Sequence, residues 1–262
     1  RLKPKEKSDW RQYLETEIDR WWRIVEARAQ LEGKPINPAF IFEELSKRLP
    51  DGAILTCDSG SSATWFARDV RIRHGMRASI SGTLATMGCG VPYAIAAKFA
   101  HPTRPVICFV GDGAFQMLGM NEMLTVKRYR DRWDDQRLIF CVFDNQDLNQ
   151  VTWEQRVMEG DPKYPGTQWL PDFDYAAYAE LCGLKGIFCD RGDDMRAAWE
   201  QALAADRPVV LHVKTDPEVP PLPPHITLEQ ARKMAHAMLY DPERVGVMQK
   251  ALKGKVTEFL KG

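Results

Sequence analysis

No apolar run in these 262 residues approaches the roughly 20 that a membrane-spanning helix needs, and the opening residues lack a signal-peptide pattern. Net charge is missing too. Thirty-six Lys and Arg balance 36 Asp and Glu, with the signs interspersed, so the basic footprint of a nucleic-acid binder is absent. The six cysteines (57, 89, 108, 141, 182 and 189) contain no Cys-x-x-Cys pair. That excludes the usual zinc spacing and favours buried, reduced thiols in a cytoplasmic protein. The five histidines (74, 101, 212, 225 and 236) include no pair at metal spacing, and His212 falls inside an expected strand, where a structural role is the plainer reading. The chain has no Gly-x-Ser-x-Gly elbow, no Gly-x-Gly-x-x-Gly dinucleotide fingerprint and no internal repeat.

What is present is length for a substantial core and an alternation of strand and helix patterns. Residues 8–31 predict a long amphipathic helix with Trp10, Leu14, Ile18, Trp21 and Val25 on one stripe, Ser8 as N-cap and Gly33 as stop. Strands are expected at 53–57, 78–80, 106–110, 138–143, 186–189 and 208–214, and helices at 38–49, 63–70, 88–99, 116–129, 173–182 and 194–205. Such alternation implies a three-layer α/β domain, a mostly parallel sheet covered by helices on both faces. Five prolines in 217–224 read as a surface strap, followed by helices at 227–240 and 241–260. In the last helix Val245, Met248, Leu252, Val256 and Phe259 form a stripe flanked by lysines. Peripheral membrane contact is one use for such a helix; docking on its own protein is the commoner fate and the one expected here. The resulting division is a connector at 1–34, an α/β domain at 35–216 and a strap with terminal helices at 217–262. Because the sequence opens on Arg1, we expect a fragment of a longer polypeptide.

The chemistry concentrates at two strand ends. One apolar run closes on Gly111-Asp112-Gly113 and the next on Asp144-Asn145-Gln146-Asp147. A carboxylate and a carboxamide at the carboxyl ends of parallel strands, beside a helix N-terminus, make a hard-cation site where a phosphate-bearing ligand belongs. Alone, Gly-Asp-Gly would be an ordinary turn; the second strand raises it. Gly113 and Ala114 open the following helix and can offer amides to phosphate. Residues 58–62, Asp-Ser-Gly-Ser-Ser, form another strand-to-helix loop suited to phosphate or to simple capping.

The Gly-Asp-Gly … Asn arrangement resembles the diphosphate-binding half of thiamine diphosphate enzymes. The resemblance implies a thiamine diphosphate-binding fold in which Mg2+ is held by Asp112, Asn145 and the backbone oxygen of Asp147. Two departures stand: the family usually writes Asn-Asn where this chain has Asp144-Asn145, and Asp112 and Asn145 lie 33 positions apart. The surplus of about six residues belongs to the charged segment 128–137, where an insertion is tolerated. In the family the 58–62 loop contacts the diphosphate, which implicates Gly60, Ser61 and Ser62. The segment 82–92 resembles the loop whose bulky residue wedges beneath the cofactor: here Met87, with the carbonyl of Ala85 accepting from the pyrimidine amino group. Leu148, Asn149, Gln150 and Val151 match a loop packed on the diphosphate and thiazolium, and Glu154 a position near the reacting carbon, though a solvent-facing role fits Glu154 nearly as well.

Order and motifs across nearly the whole chain, through Pro223-Pro224-His225-Ile226-Thr227, look like the C-terminal part of pyruvate oxidases and pyruvate:quinone dehydrogenases; acetolactate synthases share the core motifs. The implied reaction is decarboxylation of a 2-oxo acid such as pyruvate, with transfer to an oxidant or second acceptor. A carboligase or simple decarboxylase is the alternative, and a degenerate assembly module the non-enzymatic one. The resemblance further implies a glutamate supplied by an N-terminal domain across a subunit interface, FAD gripped by a middle domain where the family uses it, and a homodimer or homotetramer. The fragment by itself is expected to be inactive.

Overall fold

The computed structural model describes residues 8–221 and 226–261. The opening Lys-rich stretch, the end of the proline strap and the Pro223-Pro224-His225 motif lie outside the described residues. The strands are β1 (Ile54–Cys57), β2 (Arg77–Ile80), β3 (Val106–Gly111), β4 (Leu138–Asp144), β5 (Lys185–Cys189) and β6 (Val209–Lys214). They form a six-stranded sheet in the order β2-β1-β3-β4-β6-β5, parallel at every pairing. The helices, in chain order, are α1 (Asp9–Ala29), α2 (Pro38–Ser46), α3 (Ser61–Asp69), α4 (Gly90–Ala100), α5 (Asp112–Ala114), α6 (Met120–Tyr129), α7 (Asn149–Glu154), α8 (Pro165–Gln168), α9 (Tyr175–Leu181), α10 (Met195–Leu203), α11 (Leu228–Ala237) and α12 (Arg244–Lys261). A π-helical turn, Phe115–Gly119, joins α5 to α6, and a second, Gln155–Glu159, extends α7.

The near-continuous apolar strands are explained by burial on both faces. Ile107 and Phe109 of β3, Ile139, Cys141 and Phe143 of β4, and Val209, Leu211 and Val213 of β6 pack on one face with Phe42, Trp65 and Trp199 from α2, α3 and α10. The alternate residues, Val106, Cys108 and Val110 of β3 with Leu138, Phe140 and Val142 of β4, face Ile95, Met123 and Tyr175 from α4, α6 and α9. The three-layer α/β expectation holds.

Element ends follow local chemistry. The Ser8 hydroxyl caps α1 by accepting from the Arg11 N–H at 3.3 Å, and Thr227 with Gln230 forms a full capping box on α11. Two expectations need correction. Residues 149–151 do not continue a loop: α7 begins at Asn149, where the Asp147 carbonyl and carboxylate take donors from Asn149 and Thr152. The last helix does not dock by its apolar stripe. Val245, Met248, Leu252, Val256 and Phe259 all face outward, and α12 is held through buried Val247, through Lys250 on Asp216 and Glu218, and through Glu258 on Arg28. In the charged segment 128–137, expected as a loop or helix extension, α6 ends at Tyr129 and one 3-10 turn, Arg130–Arg132, precedes the loop to β4. In α1 the stripe is exposed at Trp10, Leu14 and Ile18, and burial begins only at Val25.

Candidate cofactor site

The chain runs from β1 outward to β2, then crosses back to the other side of β1 to build β3. Open parallel sheets bind ligands in the crevice left by such a reversal, beyond the carboxyl ends of the strands. A cleft of about 210 Å³ lies there. Its walls come from residues 59–62 after β1, Met87 before α4, residues 111–114 and Met117 after β3, and Asn145 with residues 147–151 after β4.

Gly111 pairs with Phe143 in the parallel register, so Asp112 directly follows the end of β3, Asp144 closes β4, and Asn145 is the residue beyond. Asp112 is 3 % exposed. Its Oδ1 accepts from the Gly113 N–H at 2.8 Å, and its Oδ2 from the N–H groups of Asn145 at 3.0 Å and Gln146 at 2.7 Å. Each of these donors is a backbone amide. Burial, followed by the negative charge of Asp144, pushes the Asp112 carboxyl up to about 8, against the pull of those three amides. A cation beside it would favour the ionised form instead.

The neighbouring oxygens suit one. A carboxylate has about four lone-pair positions, and the three amides leave Asp112 one on Oδ1. The Asn145 Oδ1 accepts from the Asp147 N–H at 3.0 Å, and the Asp147 carbonyl from the Asn149 N–H at 2.7 Å. A carbonyl oxygen has two lone pairs, so each keeps one. One charged and two neutral oxygens form a sparse hard-donor set of the kind Mg2+ takes when it keeps waters and ligand phosphates. Gln146, at φ 56°, makes the left-handed turn that brings this loop round, and the Leu148 N–H and Gln146 carbonyl pair with Gln168 and Leu170 to pin it. The Asp147 carboxylate turns away from cation duty: it accepts from Thr152 Oγ1 at 3.0 Å and lies 3.3 Å from Lys163 Nζ.

Gly60, Ser61 and Ser62 line the cleft as expected by position, Gly60 at the N-cap of α3 with φ 108°. Met87, Gly113, Ala114, Leu148, Asn149 and Val151 line it too. A Cβ on Gly113 would lie 2.8 Å from Leu148 Cδ2 and 3.7 Å from Met87 Cε, so these three meet at the start of α5. Two residues stay apart: Ala85 is exposed in the preceding loop with φ 50°, and Glu154 is exposed on α7, accepting from Gln150 Nε2. The Gly113 amide faces Asp112 rather than the open cleft.

Sequence reasoning passed over Ser59 and Met117, both in the wall, and above all Asp58. Fully buried, Asp58 accepts through Oδ1 from the N–H groups of Ser59 and Gly88, both at 2.8 Å, and through Oδ2 from Gly90 at 2.7 Å. It ties the Met87 loop to the end of β1. Burial raises its carboxyl and those amides lower it. The available signal was an Asp at a strand end followed by small residues, which a capping explanation absorbed.

The family model for the thiamine pyrophosphate enzyme, C-terminal TPP binding domain, matches residues 58–213. A Bacillus subtilis (strain 168) protein, YdaP, assigned as thiamine pyrophosphate-containing, is 34 % identical over 85 % of this chain and 37 % of its own length. The acetolactate synthase isozyme 2 large subunit of Escherichia coli (strain K12) is 30 % identical over 83 % of the chain and 39 % of its own. Benzoylformate decarboxylase of Pseudomonas aeruginosa is 29 % identical over 70 % and 33 % respectively. The chain therefore spans well under half the length of these relatives.

Proposed function

Because the chain belongs to the thiamine pyrophosphate enzymes, through their C-terminal TPP-binding domain, we propose that it anchors Mg2+ and thiamine diphosphate for an enzyme converting a 2-oxo acid, pyruvate foremost. The observation that carries this is Asp112, a buried carboxylate without a cationic hydrogen-bond partner among the described residues, beside two oxygens with lone pairs to spare.

Asp112, Asn145 and the Asp147 carbonyl would hold Mg2+, and Ser59, Ser61 and Ser62 would meet the diphosphate oxygens. Met87, Leu148 and Val151 would supply an apolar wall for the rings. When bound, thiamine diphosphate supplies a nucleophilic carbon and the electron sink that decarboxylation of a 2-oxo acid needs. The chain's own share is binding and orientation. Asp112 would offset metal charge, Asp58 fixes the Met87 loop, and the segment 146–148, paired with 168–170, would keep the metal oxygens facing the crevice.

An oxidant, with FAD where a middle domain holds it, is the acceptor we propose from the pyruvate oxidase resemblance. A carboligase is the second reading, favoured by the acetolactate synthase relative. Both take an activating glutamate from another domain and a second subunit. Thermal-shift titration tests the binding step: stabilisation by thiamine diphosphate with Mg2+, and none by NAD. Product analysis on the native full-length protein with pyruvate tests the rest. Carbon dioxide with a reduced acceptor supports the oxidative reading, acetolactate the carboligase, and no turnover overturns both.

A further inference from the structure

We propose that Asp144, with Lys214 as its counter-charge, sets how tightly the neighbouring strand-tip oxygens hold a divalent cation; this rests on the Mg2+ reading of that site. Asp144 ends β4 at 2 % exposure, directly before Asn145 and beside Asp112 in the register. Its Oδ2 lies 2.7 Å from His212 Nε2 and 2.6 Å from Lys214 Nζ, both from β6, where Asp144 and Lys214 are register partners. Against a carboxylate the His212 Nε2 serves as an N–H donor, and its Nδ1 finds no hydrogen-bond partner among the described residues. Lys214 is shared, because it also contacts the exposed Asp172.

Two carboxylates, Asp144 and Asp172, thus share one ammonium group, while Asp112 feels the charge of Asp144. Asp144 touches none of the proposed metal oxygens through its side chain, yet its charge acts at close range through a poorly solvated sheet end. It is a positioning and field-setting residue. Lys214 damps that field. The two residues therefore act on cation affinity in opposite directions, although they are joined by one ion pair. A purely structural staple between β4 and β6 would make both losses act in the same direction.

The test is Mn2+ affinity at saturating thiamine diphosphate, read by electron paramagnetic resonance of free Mn2+ at pH 8 on the native full-length protein. Asp144→Asn, which keeps the shape, is expected to weaken Mn2+ binding on the order of tenfold, and Lys214→Met to tighten it by a similar factor. Near-UV circular dichroism checks that each variant keeps the fold. If Asp144→Asn does not fold, Lys214→Met decides alone, and weaker or unchanged affinity there overturns the inference. Weakening by both variants, or no change in either, overturns it while leaving the metal site standing. A wild-type protein that binds no Mn2+ with thiamine diphosphate removes the metal reading itself.

Discussion

Asp112 concentrates the electrostatic cost of the site in one side chain. Its carboxyl moves from an ordinary 3.8 to about 8 in the cation-free fold, chiefly by burial and then by Asp144. A folded-state value raised above the unfolded one favours the protonated form. Stability from this group is thus fully present below about 3.8 and is lost as the pH rises towards 8. A bound cation needs the ionised form, so proton and metal compete. We predict that the rise in Tm on adding Mg2+ with thiamine diphosphate grows with pH up to about 8 and then levels; a pH series of melts with and without both additions measures it. At this scale the strand-tip residues of the cleft were legible, since Gly-Asp-Gly and Asn stand at the ends of two apolar runs. The work of Asp58 was not, because its partners Gly88 and Gly90 lie some thirty positions away across a strand–helix contact.

That contact governs the elements as well. α4 packs against the end of β1 so closely that a Cβ on Gly90 would stand 2.7 Å from the Asp58 backbone nitrogen. Helix propensity alone says Gly-to-Ala should stabilise by about 1 kcal/mol. We predict the reverse for Gly90→Ala: a loss of about 1–3 kcal/mol in urea melts, as overpacking does, together with weaker thiamine diphosphate binding as the Met87 loop shifts. The strands were readable because burial on both faces leaves continuous apolar runs with clear ends. The π turns were not. The helical pattern through 115–119 is the same with or without the extra residue per turn, and it is this turn that carries Met117 in the cleft wall. The α12 stripe teaches a related limit: periodicity reveals that a helix has an apolar side but not what lies opposite it. Ion pairs on Lys250 and Glu258 chose the other side.

Over the whole molecule, the C-terminal helices are joined to the cofactor loop by a buried ionic hub. Arg156, wholly buried, donates from Nε and Nη2 to both Asp241 oxygens at 2.8 and 2.9 Å and from Nη2 to Glu243 at 2.8 Å, while Lys163 links Glu243 to Asp147. Trp153, Val157, Met234, Met238 and Val247 form a separate apolar cluster around it. Arg156→Met strands the Asp241 charge and should cost about 3–5 kcal/mol, whereas the apolar pair Arg156→Met with Asp241→Leu should cost less, because a buried ion pair is dearer to break than to replace. Chemical denaturation of both variants tests the order. Hydrogen exchange should show α11 and α12 opening before the sheet.

By itself the sequence determined the layers and the strand tips, because those depend on local periodicity and on which residue ends each apolar run. The tertiary structure alone decided which polar groups face one another: Asp112 with Asp144, Asp144 with Lys214, Asp58 with the amides of the Met87 loop, Arg156 with Asp241. Each of those pairs joins segments far apart in the chain, and only the sheet order and helix docking bring them within reach.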